Sequence, residues 1–86
     1  MNSDLDIAFK NAIRKASKTR EKLAPDVLLR LYAYYKQATK GDNFDINTED
    51  DNLKNAFKFN AWAQLKGMGA EEAKQNYINL VNSILK

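Results

Sequence analysis

The 86-residue sequence contains no cysteine and no histidine. Their absence removes disulfide frameworks, zinc sites of the Cys/His kind, and Cys-His or Ser-His-Asp catalysis. Only oxygen-ligand metal sites and carboxylate chemistry survive that exclusion. No run approaches the ~18 consecutive apolar residues of a membrane span. The start, Met1-Asn2-Ser3-Asp4, has neither the basic residues nor the apolar stretch of a signal peptide. The end, Ile84-Leu85-Lys86, is not a peroxisomal address. Proline occurs once and glycine three times, in a chain that is 44% hydrophobic and 29% charged. These features predict one globular, soluble, cytoplasmic domain over residues 1–86. At this length folding buries only roughly 60–65% of the surface that the unfolded chain exposes, so the core has little to spare.

The net charge of +3 is modest but unevenly spread. Residues 9–40 hold nine basic and two acidic side chains, whereas residues 42–52 hold five acids and no base. A basic first half suits an anionic partner: a phosphate-bearing ligand, a nucleic acid or a lipid headgroup.

Four segments show helical periodicity and none shows the alternation of a strand. Leu5, Ala8, Phe9, Ala12, Ile13 and Ala16 form the apolar face of the first. The second opens on Pro25 and Asp26, which suit a first turn because proline lacks only an orphan N–H and the acid meets the positive dipole end. It continues through Leu28, Leu31, Tyr32, Tyr35 and Ala38, and Gly41 stops it. Residues 42–52 read as an acidic loop, closed by Thr48 and Asp51 at capping-box spacing. A third helix from about Asp51 or Asn52 places Leu53, Ala56, Phe57, Asn60 and Ala61 on one side, with Phe59, Trp62 and Ala63 beside it. After Gly67 and Gly69, a fourth helix carries Glu71-Glu72 in its first turn and the stripe Ala73, Tyr77, Leu80, Val81 and Ile84. The expected class is all-α.

Tyr32, Tyr35 and Lys36 share a helix face at i, i+3, i+4. A phenol that stacks and hydrogen-bonds, beside an ammonium, suits an aromatic base bearing a phosphate; the same spacing also serves core packing. Lys54 and Lys58 form an i, i+4 pair, and such pairs are commonly a solvated face. Trp62 and Tyr77 read as core residues or as walls of a ligand site. No base–nucleophile pair stands out, so an enzyme is not expected.

The run Tyr32-Ala33-Tyr34-Tyr35-Lys36-Gln37-Ala38-Thr39-Lys40-Gly41-Asp42 resembles the signature of the acyl-CoA-binding protein family (the diazepam-binding inhibitor family). Lys58-Phe59-Asn60-Ala61-Trp62 with Leu65-Lys66-Gly67-Met68, and Glu71-Glu72-Ala73 with Tyr77-Ile78, resemble its later blocks. The similarity extends over residues 5–85 with essentially no gaps. It implies an up-down-down-up four-helix bundle that binds, protects and transports medium- to long-chain acyl-CoA thioesters without transforming them. It also implies a monomer, with no cofactor beyond the ligand and no nucleic acid partner. Membrane or acyl-CoA-enzyme contacts would be transient at most. By position, the resemblance assigns Tyr35 to the adenine, and Tyr32, Lys36 and Lys58 to the ribose 3′-phosphate. It puts Tyr77 near the acyl chain and adds Lys54 as a supporting charge.

The sequence departs from the family pattern at four places. Ser17 replaces a basic residue of the first helix, for which Lys18 or Arg14 are the nearby substitutes. Phe59 stands where tryptophan is usual, and Gly69 where a Ser or Thr N-cap is usual. The acidic residues 45–51 replace an arginine-proline-glycine in the long loop. The alternative reading is a small basic helical module for nucleic acid or for a protein partner. Against the former, the basic residues surround helix one without forming a recognition face.

Overall fold

The computed structural model describes residues 3–19, 22–42 and 53–85. Four helices account for most of them: α1 (Ser3–Lys18), α2 (Pro25–Lys40), α3 (Leu53–Ala63) and α4 (Ala70–Ile84). The Thr48–Asp51 cap and the start of helix three at 51–52 lie outside the described residues.

The helix ends follow from local chemistry. Ala24 is the N-cap of α2 and makes no side-chain cap bond, with Pro25 in the first turn; the Leu28 N–H donates to the Ala24 carbonyl at 3.1 Å. Gly41 ends α2 at φ 60°, where its N–H reaches the Gln37 carbonyl. The positive φ itself calls for glycine there, because an added Cβ would meet nothing within 4 Å and so no neighbour excludes a side chain. Gly67 (φ 92°) turns the chain between α3 and α4 in the same way. Gly69 caps α4 without a side-chain bond, while Glu71 and Glu72 supply first-turn acids.

Pairs of residues fix the directions of the helices. Asp6 meets Lys74, and Phe9 meets Tyr77; both positions advance together, so α1 and α4 are parallel. Lys58 reaches Tyr32, Trp62 reaches Gln37, and Gly67 reaches Asp42, so α2 and α3 are parallel as well. Phe9, early in α1, stacks on Tyr35, late in α2, and Ala16 shares a cleft with Pro25 and Leu28, which makes α1 and α2 antiparallel. The result is the expected up-down-down-up bundle. Among the described residues the helix backbones pack in the order α1–α4–α2–α3. Backbone packing thus leaves α1 and α3 as the outer members.

The core joins α1, α2 and α4 through Phe9, Ala12, Leu31, Ala38, Ala73, Tyr77, Ile78, Val81 and Leu85. Helix three differs from its expected apolar face. Ala56, Phe57 and Asn60 are exposed, and the buried anchor is Trp62, 1% exposed. With α2 as its one backbone neighbour, α3 needs only a narrow contact face, and Phe57 falls outside it.

Candidate functional site

The C-terminal half of α2 and the middle of α3 bring aromatic rings and ammonium groups together. The Lys36 Nζ lies 5.7 Å from the centroid of the Tyr32 ring and 5.5 Å from that of Trp62. From α3, the Lys58 Nζ lies 5.3 Å from the same Tyr32 ring. Two ammoniums thus converge on one phenol, although no sequence spacing connects Lys58 to it. Among the described residues neither is paired with a carboxylate. Ring faces attract cations, but two like charges each within 6 Å of one ring centroid favour an anion that both can reach. A phenol is protonated at neutral pH and able to donate, and burial pushes that of Tyr32 further above its ordinary pKa.

Tyr35, one turn on from Tyr32, is 40% exposed. It stacks on Phe9 at 6.3 Å with 26° between planes, and Phe9 in turn meets Tyr77 edge-to-face at 5.2 Å and 79°. An aromatic series therefore crosses from α2 through α1 to α4, and its outer member presents a partly open ring. Tyr77 is 5% exposed. Its phenol is pushed above the ordinary range by burial first and by nearby Tyr35 second, and its ring belongs to the core. Lys74 reinforces the series: its Nζ lies 5.9 Å from the Phe9 centroid and pairs with Asp6 at 2.6 Å.

Leu28 lies one helical turn before Tyr32, on the same side of α2 as Tyr35, and is 52% exposed. It borders a cleft of about 780 Å³ between the end of α1 and the start of α2, where Ala16, Leu23 and Pro25 provide apolar walls. Aromatic rings, paired ammoniums and apolar surface so follow one another along α2.

Ser17 and Lys18 lie apart from this cluster, at the end of α1. The Ser17 hydroxyl donates back to the Arg14 carbonyl at 2.9 Å. Lys18 is exposed and about two and a half helical turns from core-facing Phe9, which puts it on the opposite face of α1. Lys54 belongs to α3, but its side chain lies outside the described residues. Among the described residues, no group of three or more His, Cys, Asp or Glu gathers as a metal site would require.

Sequence reasoning missed the polar network behind the cluster. Gln37 is fully buried. Its Nε2 donates to Asp42 Oδ1 at 2.9 Å and to the Met68 carbonyl at 2.8 Å. The Trp62 Nε1 donates to Gln37 Oε1 and to the Gly41 carbonyl, each at 3.1 Å. The Gly67 N–H donates to Asp42 Oδ1 at 3.0 Å. The only signal in the sequence was a glutamine on the buried side of a helix, where an unpaired amide is costly.

Asp42 is held below the ordinary carboxylate range, chiefly by the Gln37 amide and next by the Gly67 N–H. A depressed folded pKa gives stability that is complete above the unfolded value, near ~3.9, and is lost as the pH falls through the folded one. Asp42→Asn removes that dependence. The difference in urea midpoint between wild type and variant is therefore expected to shrink from about pH 6 to about pH 2. A difference constant over that range would show that the Asp42 charge makes no such contribution.

The family model described as "Acyl CoA binding protein" matches residues 6–81. The chain is 39% identical over 77 residues to the acyl-CoA-binding protein of Saccharomyces cerevisiae, covering 90% of this chain and 88% of that one. It is 37% identical over 76 residues to enoyl-CoA delta isomerase 2 of Rattus norvegicus, but there it covers only 19% of the longer protein. The crystal structure of Oryza sativa acyl-CoA-binding protein 2 superposes with a TM-score of 0.84 at 33% identity, covering 94% of this chain and 90% of the rice chain.

Proposed function

This chain belongs to the acyl-CoA-binding protein family, and from that premise we propose that it carries one medium- to long-chain acyl-CoA, with the 3′-phosphate between Lys36 and Lys58. The observation that carries the reading is the convergence of both ammoniums on the Tyr32 ring. A 3′-phosphate has up to two negative charges and several acceptor oxygens, which suit two ammoniums and a protonated phenol. Tyr35, stacked on Phe9 and partly open, offers its ring to the adenine. The acyl chain follows the apolar surface from the Tyr77 hydroxyl toward Leu28. The ligand is held and released unchanged by a cytoplasmic monomer, with no cofactor of its own. No helix among the described residues is long and apolar enough to cross a membrane.

Titration calorimetry with palmitoyl-CoA and its 3′-dephospho analogue tests this reading. The wild type is expected to bind palmitoyl-CoA one to one and more tightly than the analogue. Lys36→Ala removes a charge-assisted contact worth about 1.5–3 kcal/mol, a loss of roughly ten- to a hundredfold for palmitoyl-CoA and little for the analogue. Failure of the wild type to bind palmitoyl-CoA overturns the function. Equal losses on both ligands overturn the phosphate assignment of Lys36.

A further inference from the structure

The indole of Trp62 is 1% exposed, and the Lys36 ammonium lies over its ring. That indole has little freedom. Its N–H is shared between Gln37 Oε1 and the Gly41 carbonyl, while both hydrogens of the Gln37 amide are used, on Asp42 and on the Met68 carbonyl. The amide cannot flip, because its NH₂ would then face the indole N–H, donor against donor. Asp42 is fixed in turn by the Gly67 N–H. The network thus ties the end of α2 to the turn after α3, with the indole plane at its centre.

Lys36 is adjacent in sequence to Gln37 but leaves the helix on another face, so none of these hydrogen bonds reaches it directly. Its contact with the network is through the Trp62 ring at 5.5 Å, and Tyr32 contacts it at 5.7 Å. A free lysine samples many rotamers and must give up that freedom on binding a ligand. Held against two rings, the Lys36 ammonium is confined before the ligand arrives.

We propose that the Asp42–Gln37–Trp62 network is a positioning device for Lys36, setting the indole face against which the ammonium is held to meet a 3′-phosphate. The proposal rests on the acyl-CoA reading above. It makes Trp62, Gln37 and Asp42 positioning residues, which act on the ligand through Lys36 and not by touching it.

The experiment is a double-substitution cycle read on two ligands. Trp62→Phe keeps an apolar ring but loses the N–H and the stronger cation–π face. It is expected to weaken palmitoyl-CoA by about fivefold and the 3′-dephospho analogue by less than about twofold. In a Lys36→Met background the same substitution is expected to cost both ligands equally. Asp42→Ala, at an exposed position, is the second variant and is expected to show the same selectivity at about two- to threefold. A purely structural role would weaken both ligands alike in either background, and that result overturns the proposal. So does a selective loss that persists without Lys36. If the wild type itself does not distinguish the two ligands, the acyl-CoA reading of Lys36 fails first and this proposal with it. If Lys36→Met abolishes the distinction while Trp62→Phe and Asp42→Ala preserve it, only the proposal fails.

Discussion

Palmitoyl-CoA is expected to bind about a thousandfold more tightly than free CoA in titration calorimetry. Each methylene moved from water to an apolar surface contributes about 0.8 kcal/mol, so ten of them are worth about 8 kcal/mol before the chain is ordered. If ordering and incomplete coverage cancel half of that, about 4 kcal/mol survives, close to three decades of affinity. The same estimate predicts a graded series, with each two-carbon shortening costing roughly fourfold. The structure supplies the surface: Leu28 is 52% exposed, and its cleft of about 780 Å³ falls in the ~300–1,000 Å³ range of small-molecule sites. Thr19 and Lys22 also line it, but the rest of its wall is apolar, so discrimination along the chain is expected to rest on area. Affinity independent of chain length would mean that the apolar stripe of α2 takes no part in binding.

Tyr77→Ala is expected to cost about 3–5 kcal/mol of folding stability, measured by urea unfolding. Tyr77 is 5% exposed and meets Phe9 edge-to-face, so truncation removes a large buried ring and one side of an aromatic pair. Domains of this size have roughly 4–13 kcal/mol in total, and the melting temperature should fall by about 15–30 °C. Tyr77→Phe retains the ring and is expected to cost less than about 1.5 kcal/mol. A loss below about 1 kcal/mol for Tyr77→Ala would contradict a core role for the ring. Because the ring belongs to the core, binding by the alanine variant reports folding as well as contact; the phenylalanine variant isolates the hydroxyl.

Much of the bundle was legible from punctuation and period. Pro25, Gly41 and Gly69 act at helix ends through backbone geometry that needs no distant partner, and the stripes of α1 and α4 are buried or half-buried throughout, whereas Leu28 and Tyr35 of the α2 stripe are exposed. Helix three was misread because its residues are apolar nearly all round; only packing on α2 decides that Trp62 is buried and Phe57 exposed. At the site, Tyr32, Tyr35 and Lys36 follow from spacing within one helix. The approach of Lys58 to Tyr32 does not, since it depends on α3 running parallel to α2. Family resemblance grouped Lys58 with Tyr32 and Lys36 around a phosphate without implying that contact, whereas Gln37 and Asp42 escaped notice because their partners, Trp62, Gly67 and Met68, lie 25 or more residues away.

The parallel pairing of α1 with α4 has a consequence for how the chain is made. Asp6 and Lys74 are 68 positions apart, and α4 is the only helix whose backbone packs closely on α1 among the described residues. An isolated helix of 16 residues is marginal in water. Among these four helices α1 is made before α4, so it waits for α4 before it has a backbone neighbour. Closing so long a segment is a non-local event, and it moves this all-helical protein away from the fast, locally wired end of helical folding.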